Sequence, residues 1–232
     1  MIPFFLSFLL LFAPLSASGT EQSDIPSARY ALTIPHGHIK ASWQKTGLKE
    51  ADDFAEAKVK EEAEQFKARV EALDEESQPM GMAMPECELS VTAAVSAGGK
   101  TIGVLWATYE YLGGGHGSLG LESRIYFQQN SSKDQNVRLL GLKDLFRDPR
   151  AAIEIFSEFS REELTRRGLD PSMVEAGTVP VPENFLVFLL DDDGILLFFE
   201  PYQVAPWADG TIRLHIPLDR LKKASPKLSY WK

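Results

Sequence analysis

Cys87-Glu88-Leu89-Ser90-Val91-Thr92-Ala93-Ala94-Val95 is the stretch from which the architecture of this chain can be read. Cys87, Leu89, Val91, Ala93 and Val95 occupy alternate positions, the period of a strand with one buried face. Ala97-Gly98-Gly99-Lys100 reads as a tight turn, and Thr101 to Tyr111 returns apolar on both faces, as in a central strand. Leu121, Ser123, Ile125 and Phe127 line a third strand, with Arg124, Tyr126 and Gln128 on its other side. Short connections between neighbouring strands predict antiparallel pairing.

Upstream, the period changes. Ala51, Phe54, Ala55, Val59, Ala63, Phe66, Val70 and Leu73 recur every three or four residues, predicting a long amphipathic helix from Lys49 to about Ser77. Before it, Tyr30 to Ile34 alternates as a first strand ending at Pro35. Downstream, Asp148-Pro149 is a helix start, with the acid as N-cap and proline in the first turn. Ala152, Ile155, Phe156, Phe159 and Leu164 supply its buried stripe, and Gly168 stops it. Asp170-Pro171 opens a second, short helix. Phe185–Leu190 and Ile195–Phe199 are dense apolar strands joined by the Asp-Gly hairpin of residues 191–194, and Thr211–Ile216 is a last strand. The class is therefore α+β, with mostly antiparallel sheets, one long helix in the N-terminal piece and one or two helices in the C-terminal piece.

The first eighteen residues are read apart from the fold. Met1 to Leu15 is an uncharged apolar run, shorter than a membrane span, followed by Ser16-Ala17-Ser18. It predicts a signal peptide cut near Ser18, with no cysteine beside the cut to carry a lipid, and hence a periplasmic or secreted chain. Residues 19–27 form a polar leader, 28–112 the N-terminal strand–helix–strand piece, and 113–232 the C-terminal piece. No linker long enough to separate the two occurs, so they are expected to pack as one body.

The 232 residues carry a net charge of −9, which argues against nucleic acid as a partner. Residues 49–77 hold eleven acids and five bases, so the long helix accounts for most of that charge. Glu61, Glu64 and Glu71 are its candidates for steering a basic partner. The lone Cys87 excludes an internal disulfide and, sharing the apolar face of its strand, reads as a buried structural thiol. Gly115-His116-Gly117-Ser118-Leu119-Gly120 fits the spacing of a dinucleotide loop, but a strand follows it where a helix is needed. Asp191, Asp193 and Glu200 fall short of a calcium loop, because Leu189 holds the first ligand position and strands flank the turn. His36 and His38 lack a third ligand close in sequence; a closed site needs His116 or His215 and a carboxylate brought in by the fold. No metal, cofactor or catalytic residue is assigned.

Two segments carry a resemblance: Tyr109-Glu110-Tyr111-Leu112-Gly113-Gly114-Gly115-His116-Gly117, and Phe199-Glu200-Pro201-Tyr202-Gln203-Val204-Ala205-Pro206-Trp207-Ala208-Asp209-Gly210. Between them lie residues 142–146 and Glu183-Asn184-Phe185. In this order they resemble the extracytoplasmic domain family of unknown function found in RsiV-type anti-sigma factors and in the N-terminal region of PdaC-type peptidoglycan deacetylases. The resemblance implies the binding module by itself, because the sequence shows neither a second apolar span nor a deacetylase domain. RsiV-type members bind lysozyme, so the implied ligand is a basic, lysozyme-like protein or a peptidoglycan fragment. The surface expected to receive it is Tyr109, Tyr111, Gly114, His116, Tyr202 and Trp207. The rival reading is an envelope hydrolase or metal-dependent enzyme in which His116 works with a carboxylate.

Overall fold

The computed structural model describes residues 27–98, 100–128 and 137–231. The expected signal peptide, almost all of the polar leader and the loop after Gln128 lie outside them. Six strands form the larger sheet in the order β1 (Ser27–Ile34), β2 (Gly37–Gln44), β3 (Cys87–Gly98), β4 (Thr101–Tyr111), β5 (Ser118–Gln128) and β6 (Val137–Leu140). All neighbours are antiparallel except β2 and β3, which run parallel. A parallel pair cannot be closed by a tight turn. Here α1 (Lys49–Ser77) lies in the connection between the two.

The start of α1 is built by Thr46 and Asp52. The Asp52 carboxylate accepts from the Thr46 amide at 2.7 Å and from its hydroxyl at 2.8 Å, while the Leu48 amide donates to Thr46 Oγ1 at 3.0 Å. The predicted stripe is the buried one: Ala51, Ala55, Val59, Ala63, Phe66 and Val70 pack on Ile39, Trp43, Leu89, Val91, Val104 and Trp106. β4 is covered on both sides. Val104 and Trp106 face the helix, whereas Leu105 joins a second core with the C-terminal part of the chain.

That second core is organised by α2 (Leu142–Leu145), α3 (Pro149–Arg166), α4 (Pro171–Gly177) and a three-stranded antiparallel sheet of β7 (Phe188–Leu190), β8 (Gly194–Phe199) and β9 (Ile212–Pro217). The Asp148 side chain caps α3 by accepting from the Ala151 amide at 3.0 Å. Asp170 does the same for α4 through the Ser172 and Met173 amides. Within the hairpin the Asp191 amide donates to Gly194 O at 3.1 Å. β7 meets the larger sheet at Gly103, where an added Cβ would lie 2.7 Å from Leu189 Cδ2.

The α+β class, the long helix and the largely antiparallel sheets stand as read. Some details differ, and β6 and α2 were not anticipated. Gly37–Gln44 is a strand, with Ile39, Ala41 and Trp43 buried on alternate positions. Phe185 closes a short 3₁₀ turn (Pro182–Phe185) instead of opening β7. Tyr126, placed on the polar side of β5, is 3% exposed because α1 covers that face as well. β5 and β6 lie beyond residue 112 in sequence but complete the first sheet. Cys87 is fully buried, as expected, and burial raises its thiol pKa, with the Glu110 charge adding to the effect.

Candidate functional site

The hairpin between β4 and β5 and the turn after β8 meet at one edge of the molecule. Gly113 and Gly114, with φ of +107° and +94°, take left-handed conformations that suit glycine. Gly117 is required for another reason: an added Cβ would sit 2.4 Å from Glu110 O and 2.6 Å from the Tyr109 ring. Two tyrosines brace this loop from beneath. Tyr111 donates to Gly114 O at 3.1 Å, and the Tyr109 phenol takes a backbone hydrogen bond from Gly117. Burial, helped by the Glu88 charge, raises the Tyr109 pKa and keeps the phenol neutral.

The other side of the site is the turn Pro201–Ala205. Tyr202 adopts φ of +72°, a conformation that costs a non-glycine residue about 1 kcal/mol. Its amide donates to Ala205 O at 2.8 Å, and the Gln203 amide donates to Glu200 O at 3.0 Å. The Gln203 side chain then reaches back to Gly177 O (3.1 Å) and Asn184 O (2.9 Å). Glu200 fixes the turn against β5 by accepting from the Leu121 amide at 2.6 Å. Val204 and Ala205 are buried beneath. Tyr202 is thus held outward by its neighbours and is 56% exposed.

Three of the expected residues converge. The rings of His116 and Trp207 stack at 4.6 Å with 14° between their planes. Tyr202 Oη lies 3.0 Å from His116 Nε2, and the Tyr202 ring is tilted 33° to Trp207 at 6.2 Å. His116 Nδ1 lies 2.7 Å from Gly117 O. A carbonyl can only accept, so Nδ1 carries a proton, and in the neutral imidazole Nε2 accepts from the tyrosine hydroxyl. Tyr109, Tyr111 and Gly114 shape the loop below this stack.

Among the described residues no carboxylate oxygen lies within 4 Å of the His116 ring nitrogens, and those nitrogens already bond a carbonyl and a phenol. The partner that the enzymatic reading assigns to His116 is therefore not in place. The other three histidines do face carboxylates, His36 towards Asp74, His38 towards Glu86 and Glu88, and His215 towards Asp193. His36 and His38 turn to different acids and do not form one cluster. On α1, Glu61, Glu64 and Glu71 are exposed and in no ion pair among the described residues. Two bases of the helix are engaged elsewhere, Lys58 with Glu122 at 2.7 Å and Arg69 with Glu110 at 2.6 Å. Sequence reading did not find the roles of Gly177, Glu200 and Gln203, which exist only through contacts between distant segments.

Residues 143–219, which include Tyr202 and Trp207 but not His116, match the protein family of unknown function DUF3298. Over 207 residues the chain is 27% identical to the peptidoglycan-N-acetylmuramic acid deacetylase PdaC of Bacillus subtilis. That match covers 88% of this chain and 40% of PdaC, so the chain spans well under half of that relative. Two crystal structures share the fold. One is a DUF3298 protein of Pseudomonas aeruginosa, with TM-score 0.51 and 15% identity, covering 90% of this chain and 97% of that one. The other is a DUF3298 protein of Bacteroides fragilis, with TM-score 0.53 and 16% identity, covering 87% of this chain and 92% of that one.

Proposed function

We propose that this chain, as a member of the DUF3298 family, is a non-enzymatic binding module of the bacterial envelope whose ligand is a peptidoglycan fragment. The carrying observation is the stack of His116 on Trp207 with the exposed Tyr202 hydrogen-bonded to it. Aromatic rings present large, rigid surfaces that lose little entropy on binding and match the apolar C–H faces of sugars, while hydroxyl and backbone groups at the rim meet the sugar oxygens. His116 is held at both ring nitrogens and Tyr202 through the hydrogen bonds of its turn, so the surface is formed before the ligand arrives. The likeness to an enzyme named for its action on peptidoglycan supports the cell wall as the setting.

The test is isothermal titration with soluble muropeptides of defined length. Saturable binding is expected, weakened at least tenfold by Trp207→Ala and by His116→Ala, each with an unchanged melting temperature. Equal affinity in all three proteins, or no heat at millimolar fragment, would overturn the assignment. A second reading, a basic cell-wall-active protein such as a lysozyme, is favoured by one separate observation, the exposed acids Glu61, Glu64 and Glu71 of α1, which form no ion pair among the described residues.

A further inference from the structure

On the opposite strand ends of the small sheet, the β7–β8 turn brings two aspartates to a histidine of β9. One ligand atom from each of Asp191, Asp193 and His215 lies within 4.8 Å of the other two. His215 Nε2 is buried and has no hydrogen-bond partner among the described residues. It approaches Asp193 Oδ1 to 3.0 Å, but without the angle of a hydrogen bond. A buried imidazole nitrogen that faces a carboxylate oxygen without a hydrogen bond leaves lone pairs of both groups turned to one point, and a cation accepts such electron pairs.

The surrounding backbone is shaped to the same end. At Gly194 an added Cβ would lie 2.5 Å from His215 Nε2 and 2.3 Å from Ile216 O, so glycine there is what lets the imidazole lie over the turn. The turn itself is held firmly: Gly194 O accepts both from the Asp191 amide at 3.1 Å and from Trp231 Nε1 at 2.9 Å, and Asp193 O accepts from the Leu218 amide at 2.8 Å. The Asp192 amide occupies Asp191 Oδ1 at 2.8 Å, leaving Oδ2 for a ligand bond. The Asp193 side chain is 80% exposed and free to rotate.

We propose that Asp191, Asp193 and His215 bind a divalent transition cation of the zinc class, which clamps the β7–β8 turn to β9. One imidazole nitrogen and two carboxylate oxygens are a zinc-type donor set, with water completing the tetrahedron. Calcium takes six to eight oxygens, more than this turn offers. Donor atoms about 2.0–2.2 Å from zinc lie roughly 3.3–3.6 Å apart; Asp193 already stands 3.0 Å from His215 Nε2, so the closure of about 1.5 Å or less falls on Asp191. The clamp is separate from the aromatic stack and does not depend on its ligand.

The test uses the metal-free chain, titrated with zinc chloride by calorimetry and followed by thermal melting. One equivalent is expected to bind, and at zinc one hundred times its Kd the melting temperature is expected to rise by roughly 5–10 °C. His215→Gln and Asp193→Asn should each weaken binding at least tenfold, while the double variant His36→Gln/His38→Gln binds as the parent does. Should His215→Gln fail to fold, the exposed Asp193→Asn decides alone. No stoichiometric binding, binding undiminished in Asp193→Asn, equal loss in the His36/His38 variant, or a preference for calcium over zinc would each overturn the clamp. A plain His215–Asp193 ion pair predicts the first of these outcomes.

Discussion

Gly177→Ala is the sharpest test of how the aromatic site is supported. An alanine Cβ at 177 would stand 1.9 Å from Gln203 O, 2.6 Å from Gln203 C and 2.9 Å from Val204 Cγ1. Carbon and carbonyl oxygen meet comfortably at about 3.3 Å, so either the end of α4 or the turn after β8 has to retreat by more than about 1 Å. That retreat stretches both Gln203 side-chain hydrogen bonds and lifts Val204 from the core. Overpacking costs about 1–3 kcal/mol, and the two neutral hydrogen bonds about 0.5–1.5 kcal/mol each. Against this, alanine returns up to about 1 kcal/mol through helix propensity and a less flexible unfolded chain. The central values leave a net loss of about 3 kcal/mol, which at 2–4 °C per kcal/mol for a chain of this size is a fall of roughly 6–12 °C in Tm. Differential scanning calorimetry measures it, and near-ultraviolet circular dichroism reports the displacement of Tyr202 and Trp207. Gly115→Ala is the control, because an added Cβ there meets nothing within 4 Å. A Gly177→Ala protein melting within 2 °C of the parent, or a Gly115→Ala protein losing as much, would refute the contact argument.

Glu163, held at a pKa of about 2 by hydrogen bonds from Arg166 and then Arg167, stabilises the fold while ionised. Its contribution is complete above pH 4.5 and is lost as the pH falls toward 2, so the Tm gap between parent and Glu163→Gln should close over that window; a gap that widens on acidification contradicts the assignment. If α1 steers a basic partner, surface plasmon resonance with lysozyme should show an on-rate that falls with salt and falls again in Glu61→Lys/Glu64→Lys/Glu71→Lys, with the melting temperature nearly unchanged. No lysozyme signal at low salt removes that reading.

Much of the fold was legible because its signals are local. The α1 stripe, the Asp-Pro starts of α3 and α4, and the Asp-Gly hairpin each depend on neighbours within four residues. β2 escaped because the eye stops at Pro35-His36-Gly37, although Ile39, Ala41 and Trp43 alternate beyond it. The three glycines at 113–115 look like the edge of a domain, yet β5 returns along β4, and the glycines serve the backbone of a hairpin loop. The site divides the same way. Tyr202 and Trp207 stood out as an aromatic segment, but His116 joins them across 86 residues of sequence, and no spacing encodes such a meeting. Gln203 and Gly177 were illegible because each matters only as the surface against which the other closes.

The two-sided burial of β4 leaves its alignment to shape. In a strand with one wet face, slipping by a single residue drives polar groups inward, so the alternation of water-loving and oily residues polices the pairing by itself. Val104, Leu105 and Trp106 are all buried, and a slip would exchange one oily residue for another at almost no cost in solvation. What forbids it is bulk. Trp106 needs the gap beside Phe54 under α1, where their rings meet edge-on at 5.9 Å, and Leu189 needs the hollow left by Gly103 on the other side. Lock and key, in this protein, begins inside the sheet.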